Sequence, residues 1–121
     1  MERNYVYLGK GLEEGVYKIG MTKQTCWSRC HNSDYRIGIA FSVVPKDSSF
    51  LTRNHTLHTL EQGLIKMFKE LFPIAHGKEY FKINASWDTV KELFSLKITS
   101  MIEDMGLEYR IYDDWCAPYT Y

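Results

Sequence analysis

A single carboxylate, Glu61, holds the most informative position for chemistry in this sequence. It lies in a stretch with the periodicity of a helix, where the apolar side chains between residues 57 and 72 fall within about 80° of one direction. At about 100° per residue, Glu61 falls about 40° from that direction, inside the apolar stripe. Because an isolated buried charge is costly, such a carboxylate must be paired with a lysine or arginine, bound to a metal ion, or exposed in a cleft.

A tyrosine and a lysine form the second group that could do chemistry. Residues 5–8 and 16–19 are short β-favouring runs, joined by a glycine-punctuated connection that is typical of a hairpin. If the apolar residues of the two runs meet on one side of a sheet, Tyr7 and Lys18 share the other side. A neighbouring ammonium stabilises a phenolate and lowers a tyrosine pKa that begins near about 10, so the pair could supply a base. The ordinary alternative is a lysine that faces solvent.

Two other clusters have the residue types of a binding site without its spacing. Cys26, Cys30 and His31 could join a later histidine around zinc, but C-x3-C-H without a second close pair matches zinc sites poorly. The run Gly9-Lys10-Gly11 lacks the G-x4-G-K-[ST] frame of a phosphate loop. The three cysteines make an odd number with no disulfide spacing, which predicts a reduced, intracellular protein in the cytoplasm.

The elements that would position these residues alternate between strand and helix. Pro73 ends the helix that carries Glu61, Ser86 is a good N-cap for the next helix, and Gly106 is placed to follow that helix. The sum is a small α/β domain of mixed sheet and helices. Strands are predicted at residues 5–8, 16–19, 37–44, 79–83 and 107–111, and helices at 25–34, 54–72 and 86–105.

Length and charge exclude several classes of protein. A chain of 121 residues with 45% hydrophobic residues predicts one folded domain over residues 1–121 and argues against disorder. Fifteen basic and fifteen acidic residues argue against a histone-like or membrane-surface protein. The first 60 residues carry eight basic and five acidic side chains, so any nucleic-acid contact is expected there. No apolar run reaches the roughly 18 residues of a membrane span, so no membrane partner is expected.

The order of these features resembles the GIY-YIG nuclease superfamily. The matching residues are Tyr5-Val6-Tyr7, then Tyr17-Lys18-Ile19-Gly20-Met21-Thr22, then Arg29, then Glu61 on a helix. The sequence is most similar to the phage and large-virus subgroup, whose second motif reads Y-K-I-G-[KM]-T. A later E-[WY]-F segment of that subgroup corresponds here to Glu79-Tyr80-Phe81.

The resemblance covers a core of about residues 4–85 and leaves a further helix and strand at about residues 86–116. It implies a central, mostly antiparallel three-stranded sheet flanked by helices. It also implies a DNA endonuclease that hydrolyses phosphodiester bonds with a single Mg²⁺ or Mn²⁺ ion.

The family's site residues map onto four positions of this chain. Tyr7 matches the tyrosine that acts as, or helps to form, the general base, and Lys18 stands where many members have a second tyrosine. Arg29 matches the arginine that contacts the scissile phosphate, and Glu61 matches the glutamate that binds the metal ion. DNA contacts are expected at Lys18, Lys23, Arg29 and Arg36, and auxiliary polar residues are Tyr5, Tyr17, His31, Ser33, His58 and Asn84.

The chain departs from the family pattern at two positions. Ser33 stands where many members have a histidine or tyrosine one turn after the arginine. Ile65 stands where the subgroup has a histidine, and His58 is either its substitute or an ordinary histidine on a helix surface. Asn84 matches a late polar residue of the family but is equally typical of a turn.

Two other functions are compatible with the sequence. One is a GIY-YIG-fold module that binds DNA or a protein partner without cleaving, and the other is a structural or inhibitory protein with an interface in its aromatic tail. The combination of Tyr7, Arg29 and Glu61 favours the enzyme. No DNA-reading motif is present, so targeting is expected to need a separate DNA-binding domain, a partner or a dimer, and monomer and dimer both stay open.

Overall fold

The computed structural model describes residues 5–11, 13–22, 35–44, 50–77 and 79–113. These residues form six strands and two helices. The predicted helix at residues 25–34 lies outside the described residues, as do the three cysteines. In chain order the elements are β1 (Tyr5–Gly11), β2 (Val16–Thr22), β3 (Tyr35–Val44), α1 (Phe50–Leu71), β4 (Ile74–His76), β5 (Tyr80–Lys82), α2 (Trp87–Asp104) and β6 (Glu108–Asp113).

The strands form one sheet in the order β4-β5-β2-β1-β3-β6, and every neighbouring pair is antiparallel. The fold is therefore mixed α+β, as predicted, but the central three-stranded sheet that the resemblance implies is not confirmed, because the described sheet has six strands. Strands β2, β1 and β3 form its centre, while β5 and β4 extend one side and β6 the other. Strand β4 has three residues, too few to show the alternation that predicts a strand from sequence.

Both helices pack on the same face of this sheet. The β1–β2 register pairs Val6 with Met21 and Leu8 with Ile19, so their apolar side chains point to one side. The helices bury their apolar stripes against that side and form the main core. The residues they contribute are Leu57, Leu60, Leu64, Ile65 and Phe68 from α1 and Val90, Phe94, Ile98 and Ile102 from α2.

The ends of the helices follow the signals seen in the sequence. Helix α1 ends at Leu71, before Pro73, because proline cannot continue the hydrogen-bond ladder. Ser86 caps α2 and accepts a hydrogen bond from the Thr89 amide at 3.2 Å. Gly106 follows with a φ of 68°, the left-handed conformation that glycine adopts without strain. Neither helix of the described chain has both the length and the apolar character needed to cross a membrane.

The opposite face of the sheet is aromatic. A second buried group on that side consists of tyrosines with one isoleucine and one alanine, and two further tyrosines pack on it. These residues come from β1, β3, β5 and β6, so four strands contribute to one tyrosine-rich surface. The buried members are Tyr5, Tyr7, Tyr35, Ile37 and Ala40, and the partly buried ones are Tyr80 and Tyr112.

Candidate active site

Tyr7 and Lys18 lie side by side on the aromatic face, as the alternation of the two strands predicts. The register places Tyr7 opposite Gly20 and Lys18 opposite Gly9, so the two side chains are diagonal neighbours. The Lys18 Nζ donates a hydrogen bond to the Tyr7 Oη at 3.2 Å. Lys18 is only 7% exposed, which excludes the ordinary solvent-facing lysine and makes the contact a buried, charge-assisted one.

The ammonium of Lys18 is surrounded by aromatic rings and one carboxylate. Its Nζ lies 4.2 Å from the ring centre of Tyr35 and 5.6 Å from that of Tyr80. The Glu79 Oε2 lies 3.7 Å away, at the more exposed side of the group. Aromatic faces and a carboxylate both favour a cation, so they compensate the loss of water around a buried lysine. We call Tyr7, Lys18, Tyr35, Tyr80 and Glu79 the tyrosine–lysine cluster.

Tyr35 is a member of this cluster that the motifs did not identify. Its Oη lies 2.6 Å from the Tyr7 Oη, and the two rings are stacked with centroids 5.6 Å apart. The two residues are 28 positions apart in the chain and meet because β3 pairs with β1. Glu79 belongs to the E-[WY]-F motif, and its place beside Lys18 depends on the pairing of the strands in the sheet. Its carbonyl accepts from the Ile19 amide at 3.1 Å, which fixes it beside β2.

The close approach of β1 and β2 at the cluster requires Gly20. A Cβ added at this position would overlap the Tyr7 hydroxyl and lie 2.6 Å from the Tyr7 Cζ. We therefore expect Gly20→Ala to lower the free energy of unfolding by about 1–3 kcal/mol, because the buried Tyr7 ring must move. Urea unfolding followed by circular dichroism measures this change.

Gly63→Ala is the matched control for this substitution. A Cβ at Gly63 would meet the Met101 Cε at 2.5 Å, the far end of a flexible side chain that can move away. Since alanine is favoured over glycine within helix α1 by about 1 kcal/mol, this change should be neutral or stabilising. Equal losses in the two variants would contradict the special requirement at Gly20.

Glu61 is buried, as its place in the apolar stripe predicts. It is 7% exposed, and Gln62 Nε2 donates a hydrogen bond to its Oε1 at 3.2 Å. Within the described parts of the chain it forms no salt bridge, so the lysine or arginine partner expected as one alternative is not found there. Burial raises the pKa of Glu61, the Gln62 hydrogen bond lowers it, the charge of Glu79 raises it, and His58 and Lys18 lower it.

The raised pKa of Glu61 predicts a stability that depends on pH. Between the ordinary pKa of 4.5 and the raised value, the unfolded chain ionises first, so the folded state loses stability as pH rises. Glu61→Gln removes this loss. With both proteins free of metal, we expect the free energy of unfolding of Glu61→Gln to rise relative to that of the wild type as pH increases from 4.5 to neutrality. Urea unfolding at several pH values measures this difference.

The control for this prediction is Glu70→Gln. Glu70 is an exposed glutamate on the same helix, so the substitution reports the loss of a surface charge alone. A gain at position 61 that is constant with pH, or no larger than the effect at position 70, would contradict a burial penalty at Glu61.

The residue that could hold a metal ion is Glu61. The carboxylate is a hard oxygen ligand and forms no salt bridge within the described chain, which fits Mg²⁺ or Mn²⁺ with water completing the coordination. Among the described residues there is no group of three or more histidine, cysteine, aspartate and glutamate side chains that could hold a metal ion. A protein cage of the structural zinc type is therefore not formed by this part of the molecule.

The other predicted residues divide into three groups. Tyr5 lies on the aromatic face, with its ring centroid 5.6 Å from that of Tyr112 in an edge-to-face arrangement. His58 is exposed on α1, near enough for its charge to act on Glu61. Arg36 is exposed on β3, where it pairs in register with Lys10. The residues that lie outside the described chain are Lys23, Arg29, His31 and Ser33.

Tyr17 and Asn84 do not join the tyrosine–lysine cluster. Tyr17 packs in the main core on the opposite face and donates from its Oη to the Ala85 carbonyl at 3.1 Å. Burial, and then the charge of Glu14, raise the pKa of Tyr17, which disfavours a phenolate there. Asn84 is exposed in the loop after β5, where it lines an open cleft together with Trp87. The structure thus gives no support to an auxiliary role for Tyr17.

Comparison of the chain with models of protein families, with curated protein sequences and with solved structures gave no match. The interpretation of the site therefore depends on the motifs and on the geometry described above.

Proposed function

We propose that this chain is a metal-dependent DNA endonuclease that uses a single Mg²⁺ or Mn²⁺ ion, as the GIY-YIG resemblance implies. The observation that carries the proposal is the buried hydrogen bond from Lys18 to Tyr7, at 3.2 Å. Replacing a buried polar pair by apolar side chains is commonly neutral or stabilising, so stability alone gives little reason to keep one. A buried pair of titratable groups is instead typical of a functional site.

Tyr7 is the proposed general base. Lys18 holds the phenol oxygen with an ammonium hydrogen bond, which favours the phenolate form. The phenolate takes a proton from water while the water oxygen forms a bond to phosphorus. The bond between phosphorus and the 3′ oxygen breaks, and that oxygen leaves with a proton from solvent.

Glu61 would hold the metal ion, which when bound supplies positive charge to the phosphate and to the developing charge on oxygen. Arg29 is proposed to contact the scissile phosphate, where a guanidinium offers two parallel hydrogen bonds. Because the ammonium of Lys18 is directed at Tyr7, we propose that Lys18 stabilises the general base and does not contact DNA. DNA contacts are then expected at Lys23, Arg29 and Arg36.

The test is incubation of the purified protein with supercoiled plasmid. Nicked or linear product is expected with Mg²⁺ or Mn²⁺ and none with excess EDTA. Cleavage that persists in EDTA would overturn the metal-dependent mechanism.

A module that binds DNA or a protein without cleaving is the second candidate. The observation in its favour is the burial of Tyr7, which has 0% exposure in this structure, whereas a base must reach water. Retention on a DNA column, together with no cleavage of any DNA or RNA tested, would favour this candidate over the nuclease.

A further inference from the structure

The hydroxyl groups of Tyr7 and Tyr35 lie 2.6 Å apart, a short distance for two oxygen atoms that share a hydrogen. A lysine ammonium has three donors and no acceptor, so Tyr7 Oη accepts the bond from Lys18. Either hydroxyl of the pair can be the donor, and the neutral Tyr7 hydroxyl can donate its hydrogen to Tyr35. In that arrangement Tyr35 is the acceptor of the pair.

We propose that Tyr35 is a positioning residue that reverses its hydrogen bond when Tyr7 loses its proton. The Tyr35 hydroxyl keeps its own hydrogen and turns it toward the Tyr7 oxygen, so the phenolate is held by two donors, Lys18 and Tyr35. This inference rests on the proposed function, in which Tyr7 works as a phenolate. The proton of Tyr7 passes to solvent before each reaction, and Tyr35 neither gains nor loses one.

The surroundings of Tyr35 fix its hydroxyl in place for this purpose. The residue is 3% exposed, its ring is stacked on Tyr7 at an interplanar angle of 10°, and the ring of Tyr80 meets it edge-on at 6.4 Å. Gly9 leaves room for the ring, since a Cβ there would lie 2.9 Å from the Tyr35 Cδ2. Because the ring and its oxygen are already held in place, only the hydroxyl hydrogen has to rotate when the charge appears, and little entropy is lost.

The charged and titratable groups that the described strands β2 and β5 place near the two hydroxyls include Lys18, which bonds to Tyr7, and Glu79, which lies 3.7 Å from the Lys18 Nζ. They also include the Tyr80 phenol. None of them changes in Tyr35→Phe, so this variant removes one donor and leaves the charges in place.

The experiment follows the ionisation of Tyr7 by NMR in protein labelled with ¹³C at tyrosine Cζ. The Tyr7 signal is assigned from its loss in Tyr7→Phe. Loss of one hydrogen bond to a charged oxygen should raise the titration midpoint of Tyr7 by about one to two pH units in Tyr35→Phe. An unchanged midpoint would overturn the proposal.

Tyr17→Phe is the matched control, because it also removes a hydroxyl hydrogen bond, in this case a partly buried one on the opposite face of the sheet. It should leave the Tyr7 midpoint unchanged. A shift of equal size in this control would show a general loosening of the fold and would also overturn the proposal.

A measurement on the wild type makes the result independent of how well the variant folds. The Tyr35 Cζ signal should move at the pH at which Tyr7 ionises, because its hydrogen bond reverses there, and should keep the chemical shift of a neutral phenol. No response of Tyr35 at that pH would contradict the reversal.

Cleavage separates this inference from the proposed nuclease function. If the wild type cleaves plasmid, the kcat of Tyr35→Phe at neutral pH should be lower by at least about 10-fold, while its KM is unchanged. The kcat of this variant should recover at higher pH. If the wild type does not cleave, the nuclease proposal fails, and the two titrations still decide whether Tyr35 holds the Tyr7 phenolate.

Discussion

Glu61→Gln should abolish metal-dependent cleavage, with a loss of roughly a thousandfold or more. The substitution keeps the size and the hydrogen-bonding shape of the side chain but removes the charge that binds a hard cation. Glu61 is 7% exposed, whereas Glu70, the other acidic residue of α1, is exposed and lies nine positions further along the helix, so Glu70 cannot take the place of Glu61. The loss should therefore affect kcat at every metal concentration that the assay can reach.

Plasmid nicking and thermal unfolding measure this prediction together. Mg²⁺ or Mn²⁺ should raise the melting temperature of the wild type in a concentration-dependent way, because an ion that binds the folded state stabilises it. The same ions should leave Glu61→Gln unaffected, and Glu70→Gln should behave like the wild type in both assays. Full nicking activity in Glu61→Gln would exclude Glu61 as the metal ligand.

Lys18→Met and Tyr7→Phe should each lower cleavage by about 10² to 10⁴-fold, and the double variant should be no worse than either single variant. The physical reason is that the two residues act as one unit through the 3.2 Å hydrogen bond. Without the ammonium, Tyr7 loses its phenolate form, and without the hydroxyl, Lys18 has no base to activate. Steady-state cleavage rates of the four proteins give the coupling energy directly.

Lys82→Met is the matched control for the lysine substitution. Lys82 is an exposed lysine on β5 that pairs with Glu13 at 3.5 Å, so it supplies the same chemical change without contact to Tyr7. It should leave the rate within a factor of a few of the wild type. Additive losses in the Lys18 and Tyr7 variants would show that the two residues act separately and would contradict the proposed base.

The part of the cluster that sequence could predict is the part set by local alternation. Tyr7 and Lys18 belong to a hairpin, and the two-residue period of each strand fixes the face on which they lie. The burial of Glu61 could also be predicted from the sequence, because helix periodicity relates it to apolar neighbours in the same element. The electrostatic environment of Glu61 could not be predicted, since the neighbours that shift its pKa include Glu79 and Lys18 from other elements.

Tyr35 and Glu79 could not be assigned in this way because their positions depend on non-local pairing. Tyr35 reaches Tyr7 only through the β1–β3 register, which includes a shift between Leu8 and Gly9 that local alternation does not reveal. The size of the sheet was missed for the same reason. Sequence predicted strands near β5 and β6 but could not show that both join the sheet built by β1, β2 and β3.

The division of the sheet into two faces has a consequence for the order in which the chain assembles. Three members of the tyrosine–lysine cluster, Tyr7, Lys18 and Tyr35, lie in the first three strands, which end at Val44. Among the described elements, those that cover the other face are α1 and α2, which extend to Asp104. During synthesis the amino-terminal strands emerge first, so Tyr7, Lys18 and Tyr35 can come together before the helices that cover the apolar face have been made. A chain interrupted after β3 would expose that apolar face and be prone to aggregate.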